Sequence, residues 1–321
     1  MSKIFDVLII GGGPAGLSIA TALARQVFSA LIIDSGTYRN DYTQHMYNVP
    51  SFDHVRPADF RAKVRADLTS RYDTVEFESA TVEGVKKLDS GVFEVRSREG
   101  GVYRGRKLAL GTGVRDVFGG MAEGYEECWG RSIFHCLFCH GYEERGAESA
   151  GLLAGGFLVA PEMLRHVALM AKRLCNGLTI YTDDNEALME QLRPLINSTK
   201  ISFDNRKITR FQLRPGQDAQ PDALTLRFAD GTTKHEGFLA SHPSIEQRAA
   251  PFIEQLGLET TPTGDIKLVS GFNETSVEGC FAAGDAATWM RSVVQAMQMG
   301  MFAGSGLVAQ LGKDLDVRDE I

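Results

Sequence analysis

The sequence offers nothing to complete a metal site. It has one pair of closely spaced cysteines, no second Cys-x-x-Cys and no His-x-x-x-His, so no zinc is expected. No apolar run reaches transmembrane length, so no membrane span is expected. Nor does the N-terminus show a signal peptide's cleavage region, because Met1-Ser2-Lys3 leads directly into an apolar strand. There is no basic stripe, and a net charge of −7 argues against affinity for nucleic acid or an anionic membrane. What is present fits a soluble globular protein: 321 residues, enough for two domains, with 43% hydrophobic and 23% charged residues. Five cysteines without a secretion signal point to a reducing, cytoplasmic compartment, where a Cys-x-x-Cys pair is catalytic more often than structural. The last four residues, Arg318-Asp319-Glu320-Ile321, distantly echo an endoplasmic-reticulum retention signal, an echo without force when no entry signal accompanies it.

The stretch that carries chemistry is His135-Cys136-Leu137-Phe138-Cys139-His140-Gly141-Tyr142-Glu143. Two thiols at this spacing can close a redox-active disulfide ring, and each has an imidazole beside it. Half of a zinc site and two core cysteines are the competing readings. His140 is the preferred acid or base, with a turn-holding role as its alternative. His135 is a weaker candidate. Glu143 could orient His140 or lie on a solvated face, and His242 could line a pocket or sit in a loop. Cys128, Cys175 and Cys280 have no close sequence partner and are expected to pack.

Dithiol chemistry needs an electron partner, and the N-terminus supplies a place for one. Ile4 to Ile10 reads as a buried parallel strand, followed by Gly11-Gly12-Gly13-Pro14-Ala15-Gly16 and an apolar helix from Leu17 to Ala24. Gly11 permits the tight turn, Gly13 lets the backbone approach a pyrophosphate, and Gly16 allows the helix to pack closely on the strand. A second strand, Ala30 to Ile33, ends in Asp34, which lies 23 positions after Gly11, where a carboxylate can accept from an adenosine ribose. This fingerprint does not distinguish FAD from a nicotinamide cofactor.

The far end helps. Val277 to Asp285 reads as a short strand ending in Gly284-Asp285, then a helix containing Arg291, Gln295 and Ala296. With the N-terminal fingerprint this resembles the FAD signature of the thioredoxin-reductase-like flavoproteins. The resemblance implies that Asp285 contacts the ribityl or pyrophosphate region, and that Gln295 and Ala296 lie at the pyrimidine edge of the flavin. It brings Asn48 toward the flavin as well, although a turn-forming asparagine fits the same loop. Pro57 to Leu68 reads as a helix and Val75 to Arg106 alternates like antiparallel strands. Leu108 to Gly113 resembles the strand and turn at which these proteins leave the FAD domain. The expected fold is therefore α/β with two Rossmann-like domains: residues 1–113 and 244–321 form a discontinuous FAD-binding domain, and residues 114–243 form an inserted domain carrying the dithiol. The family also implies a homodimer.

The inserted domain contains a second candidate nucleotide unit, and it is damaged. Its strand is Gly151 to Ala154, its turn Gly155-Gly156, its helix Glu162 to Arg173 and its next strand Leu178 to Thr182. If Gly155 is the first glycine, the second position falls on Phe157; if Gly156 is the second, the first is Ala154 and the third Val159. The strand after it ends in Tyr181-Thr182-Asp183-Asp184, with no Lys or Arg between Arg173 and Arg193 to hold a 2′-phosphate. A flavin reduced only by the protein's own thiols must pass its electrons onward, most simply to O2. The Cys-x-x-Cys-His pattern with a lost NADPH site is similar to the gliotoxin- and holomycin-type dithiol oxidases of secondary metabolism, which close disulfides in small natural products. The resemblance implies a small-molecule dithiol as substrate. A reductase of thioredoxin or another protein disulfide, driven by NADH, NADPH or a non-nicotinamide donor, is the alternative, and a non-catalytic flavin-binding redox sensor is a third reading.

Overall fold

The computed structural model describes residues 3–216 and 221–317. Met1-Ser2 and the Arg318 to Ile321 segment lie outside the described residues. The first sheet has the order Val75–Ser79, Ala30–Asp34, Ile4–Ile10, Val102–Leu110, Phe93–Ser97 and Val82–Lys87, with Cys280–Ala282 also pairing to Val102–Leu110. Ile4–Ile10 is central because its residues are apolar on both faces: Val7, Leu8 and Ile9 are fully buried. Strand Val75–Ser79 runs parallel to Ala30–Asp34, not antiparallel as its alternation suggested. Helix Pro57–Arg71 lies between these strands and returns the chain to the same edge, the connection a parallel pair requires. Phe93–Ser97 does pair antiparallel with both of its neighbours.

The second sheet has the order Ile201–Asp204, Cys175–Tyr181, Ala147–Leu153, Phe238–Ala240 and Ile133–Phe134, all parallel. A three-stranded antiparallel sheet, Ile208–Arg214, Ala223–Phe228 and Thr233–Glu236, covers it. The chain passes between the two sheets through Val114–Val117 and Ser244–Gln247, which pair antiparallel with each other.

Helix Pro14–Ala24 leaves the glycine turn, and the last helix, Val293–Asp316, packs along it. That packing is close because the facing residues are small. A Cβ on Gly300 would lie 2.5 Å from the Ala15 carbonyl oxygen, and one on Gly304 would lie 2.5 Å from Ala22 Cβ. The close approach brings the start of the last helix to the glycine turn. Ser292 caps this helix by accepting from the Gln295 N–H, so Arg291 precedes the helix rather than belonging to it as the sequence suggested.

Candidate active site

One cavity of ≈ 1090 Å³ opens where the C-terminal ends of the first sheet's central strands meet the dithiol. Gly11, Gly13, Pro14, Ala15, Asp34, Asn48, Gly113, Gly284, Asp285, Gln295 and Ala296 all line it, as do Cys136, Cys139 and His140. Gly16 does not line it. A Cβ there would come within 1.9 Å of the Gly11 carbonyl oxygen, so its lack of a side chain serves helix-to-turn packing.

The wall is prepared for a dinucleotide. A Cβ on Gly13 would meet nothing within 4 Å, so its backbone faces open space at the helix start, as close approach of a pyrophosphate requires. Asp34 Oδ1 accepts from the N–H groups of Gly12, at 3.1 Å, and Gly36, at 3.3 Å, and its other oxygen accepts from the Tyr38 hydroxyl. Arg61 in turn stacks over Tyr38 at 3.6 Å. Thr112 Oγ1 and Gln247 Oε1 are buried polar atoms without a hydrogen-bond partner, on residues of the same wall. These features fit FAD.

Cys136 and Cys139 form a disulfide at the opposite side of the cavity. The pair spans one helical turn, Leu137–His140, in which the Cys139 and His140 N–H groups both donate to the Cys136 carbonyl. His140 lies between two rings, stacked on Phe134 at 4.6 Å and edge-on to Tyr47 at 5.8 Å. Its Nε2 is buried without a partner, and burial lowers the ring pKa to about 4, with His45 adding to the shift. The ring is thus a neutral proton acceptor at pH 7. Glu143 does not reach it; its carboxylate lies 3.5 Å from His54 Nε2. Asn48 donates its side-chain N–H to the Phe138 carbonyl at 2.8 Å, tying the loop after the second strand to the dithiol turn.

His135 also lines the cavity, stacked on Trp129 at 5.5 Å and edge-on to His242 at 5.9 Å. Burial holds both rings neutral, His242 near a pKa of about 4 and His135 well below its ordinary value. Cys128, Cys175 and Cys280 are buried in the cores. Burial raises all three thiols, to about 11, about 11 and about 12, which leaves them unreactive.

Arg39 is a site residue that sequence reasoning missed. Its guanidinium holds Asp116 through Nε, at 3.0 Å, and Nη2, at 2.8 Å, and holds Asp285 through Nη1 at 3.1 Å. No local pattern announces this, since the partners lie 77 and 246 positions away.

The second nucleotide turn has a different form. Strand Ala147–Leu153 leads to Gly155, a short 3-10 turn Gly156–Val159 and then helix Pro161–Ala171. Gly156 has φ +53°, and a Cβ there would lie 2.2 Å from the His242 carbonyl oxygen. This glycine therefore admits the segment returning to the first domain. Phe157 stands beside the His242 ring at 5.7 Å. Asp183 is held by Lys207 Nζ at 2.8 Å and by the Ile208 N–H at 2.7 Å, so this acid secures the start of the covering sheet.

A dinucleotide cavity closing on a Cys-x-x-Cys disulfide, in a chain with two Rossmann-like sheets, defines a flavoprotein disulfide oxidoreductase. The chain is 42% identical over 316 residues to the thioredoxin reductase aclD of Aspergillus oryzae, covering 98% of each chain. It is 42% identical over 322 residues to the thioredoxin reductase tcpT of Claviceps purpurea, covering 100% of this chain and 98% of that one. Among solved structures it matches HlmI with a TM-score of 0.82 and 26% identity, covering 99% of this chain and 96% of that one. No family model matches the chain. The chain belongs to the thioredoxin reductase family, and its cofactor is FAD.

Proposed function

We propose that this protein is a FAD-dependent dithiol oxidase that closes an intramolecular disulfide in a small natural-product dithiol, with O2 reduced to H2O2. The observation that carries this reading is the second nucleotide turn. Phe157 stands at a glycine position, Gly156 is occupied by contact with the returning chain, and Asp183 and Asp184 end the strand where a 2′-phosphate would need cations. Arg206 and Lys207, on the neighbouring segment, are paired to Asp204 and Asp183. Electrons then enter through the thiols.

A substrate thiolate attacks Cys136 Sγ, forming a mixed disulfide and releasing Cys139 as a thiolate. The second substrate thiolate attacks the substrate sulfur of that mixed disulfide. The product disulfide leaves, and Cys136 departs as a thiolate with the electron pair. The neutral imidazole of His140, on the cavity lining and stacked on Phe134, accepts a substrate thiol proton. FAD, held by the Gly13 turn, Asp34 and Asp285, would supply the two-electron acceptor for the Cys136 and Cys139 thiolates, with O2 as the terminal oxidant. Asn48, through Phe138, fixes the dithiol turn against the cavity.

A small apolar substrate is supported by Phe138, within the dithiol turn, and Tyr47, edge-on to His140, both on the cavity lining. A homodimer is supported by the last helix, which carries no charged residue from Val293 to Gly312 and exposes Val294, Met301 and Phe302. The described residues contain no helix long and apolar enough to cross a membrane, and a cytoplasmic location accords with the unpaired state of Cys128, Cys175 and Cys280. A second reading, reduction of a protein disulfide by a non-nicotinamide donor, is favoured by the name thioredoxin reductase that the relatives carry. Oxygen uptake and peroxide yield separate the two. The oxidase forms one peroxide per small dithiol consumed, whereas dithiol-independent reduction of thioredoxin by reduced ferredoxin would support the reductase.

A further inference from the structure

Arg39 joins three segments that are remote in sequence. Asp116 lies on the outgoing crossing strand Val114–Val117, Asp285 follows strand Cys280–Ala282 on the cavity wall, and Arg39 itself begins the turn after the Asp34 loop. The guanidinium is 17% exposed and Asp116 is 3% exposed, so neither charge is well hydrated and each depends on the other. The planar fork gives Asp116 two parallel bonds and still reaches Asp285, which a single ammonium group would not reproduce.

We propose that Arg39 is a positioning residue that couples FAD retention to the seating of the dithiol domain, by holding Asp285 at the cofactor wall and Asp116 on the crossing strand with one guanidinium. This rests on the reading of Asp285 as a cofactor residue. Asp285 faces Arg39 from the turn after strand Cys280–Ala282 and Asp116 from the crossing strand, and the neutral rings of His135 and His242 lie near the same guanidinium; Arg291 donates through Nε to the Asp285 carbonyl at 3.3 Å while its Nη2 holds Asp265 at 2.5 Å. Burial pushes the Asp285 carboxyl up, and Arg39 is the first of the groups that pull it back. Loss of Arg39 therefore leaves Asp285 protonated to a higher pH and without this anchor, and leaves the Asp116 carboxylate on the crossing strand buried without its guanidinium partner.

The test is FAD release from the diluted holoenzyme, followed by recovery of flavin fluorescence between about pH 6 and 8.5. Wild type, Arg39→Met, Arg39→Lys, Asp116→Asn, Asp285→Asn and the Arg39→Met/Asp285→Asn double variant are compared. Arg39→Met is expected to weaken retention by ~10-fold or more, with the greater loss toward low pH than in wild type. Arg39→Lys, which keeps the charge and guards against a failure of Arg39→Met to fold, recovers only part of the affinity. The double variant is weaker than Asp285→Asn by no more than the loss that Asp116→Asn alone causes, because the Asp285 arm is already broken and only the Asp116 arm is left to lose. Asp116→Asn gives an intermediate loss and slows flavin reduction by a small dithiol. Retention within about twofold of wild type in both Arg39 variants, with Asp285→Asn clearly weakened, overturns the role of Arg39. Unchanged retention in Asp285→Asn overturns the reading of Asp285, and the coupling with it.

Discussion

The chain contains two strand-to-helix turns of similar pedigree, and they have diverged in opposite senses. After Ile4–Ile10, the backbone of Gly13 faces open space, and Asp34 is held in place by two N–H groups and a tyrosine. After Ala147–Leu153, Gly155 stays open but Gly156 is pressed on the His242 carbonyl, Phe157 takes the next glycine position beside the His242 ring, and the acid at the next strand's end is tied to Lys207. The first turn keeps Gly13 open toward the cavity; the second uses Gly156 to admit the protein's own chain. The same residue type thus records a binding site in one domain and a packing contact in the other, and only its surroundings tell which.

If the second turn no longer admits electrons, the cysteine pair is the sole entrance, so its loss has the largest effect. Cys139→Ser is expected to abolish flavin bleaching by a small dithiol while leaving FAD bound; unchanged bleaching would refute its assigned role. The comparison sharpens with one substitution placed in each turn. Gly13→Leu drives a side chain into the open cradle and should reduce FAD retention by ~100-fold or more, by analogy with steric exclusion of a bound group. Gly155→Leu, where an added Cβ also meets nothing within 4 Å, should leave both retention and turnover unchanged. A loss of turnover there would show that the second turn still serves a ligand.

His140→Ala should lower turnover by ~10²–10⁴-fold without releasing the flavin. Wild-type turnover should also fall as the pH drops toward about 4, where the ring protonates and ceases to accept. Stability follows the same direction. A ring held below its ordinary value of 6.5 favours the fold above that pH and loses this contribution as the pH falls toward about 4. The smallest expected effect lies behind the dithiol turn, where Glu144 is buried with Oε2 unpartnered and burial raises its carboxyl to about 8. A raised carboxyl favours the fold below the ordinary carboxylate range, and that contribution is lost as the pH rises through about 8. Glu144→Gln should therefore leave Tm unchanged near pH 4, below the ordinary carboxylate range, and raise it by a few degrees near pH 9 in thermal melts.

The sequence made the first turn legible because glycine spacing, strand and acid are all local. The damage to the second turn was legible for the same reason, at Phe157 and Asp183-Asp184. The use now made of Gly156 was not, since its neighbour His242 is far along the chain. Alternation over Val75–Ser79 showed a strand but carried no information about its partner's direction, which the preceding helix decides. The Arg39 cluster was invisible for a related reason: each member is an ordinary surface-type residue until the fold buries the three together. For Glu143 the sequence leaves two readings open, orienting His140 or lying on a solvated face, and the turn after the dithiol aims its carboxylate at the exposed His54.

The central claim is that electrons enter through thiols and not through a nicotinamide. It is tested most directly by mixing the oxidised holoenzyme anaerobically with NADPH, NADH or a small dithiol and following flavin absorbance. The account predicts rapid bleaching by the dithiol alone, with peroxide formed when oxygen is admitted. Rapid bleaching by NADPH or NADH would contradict it.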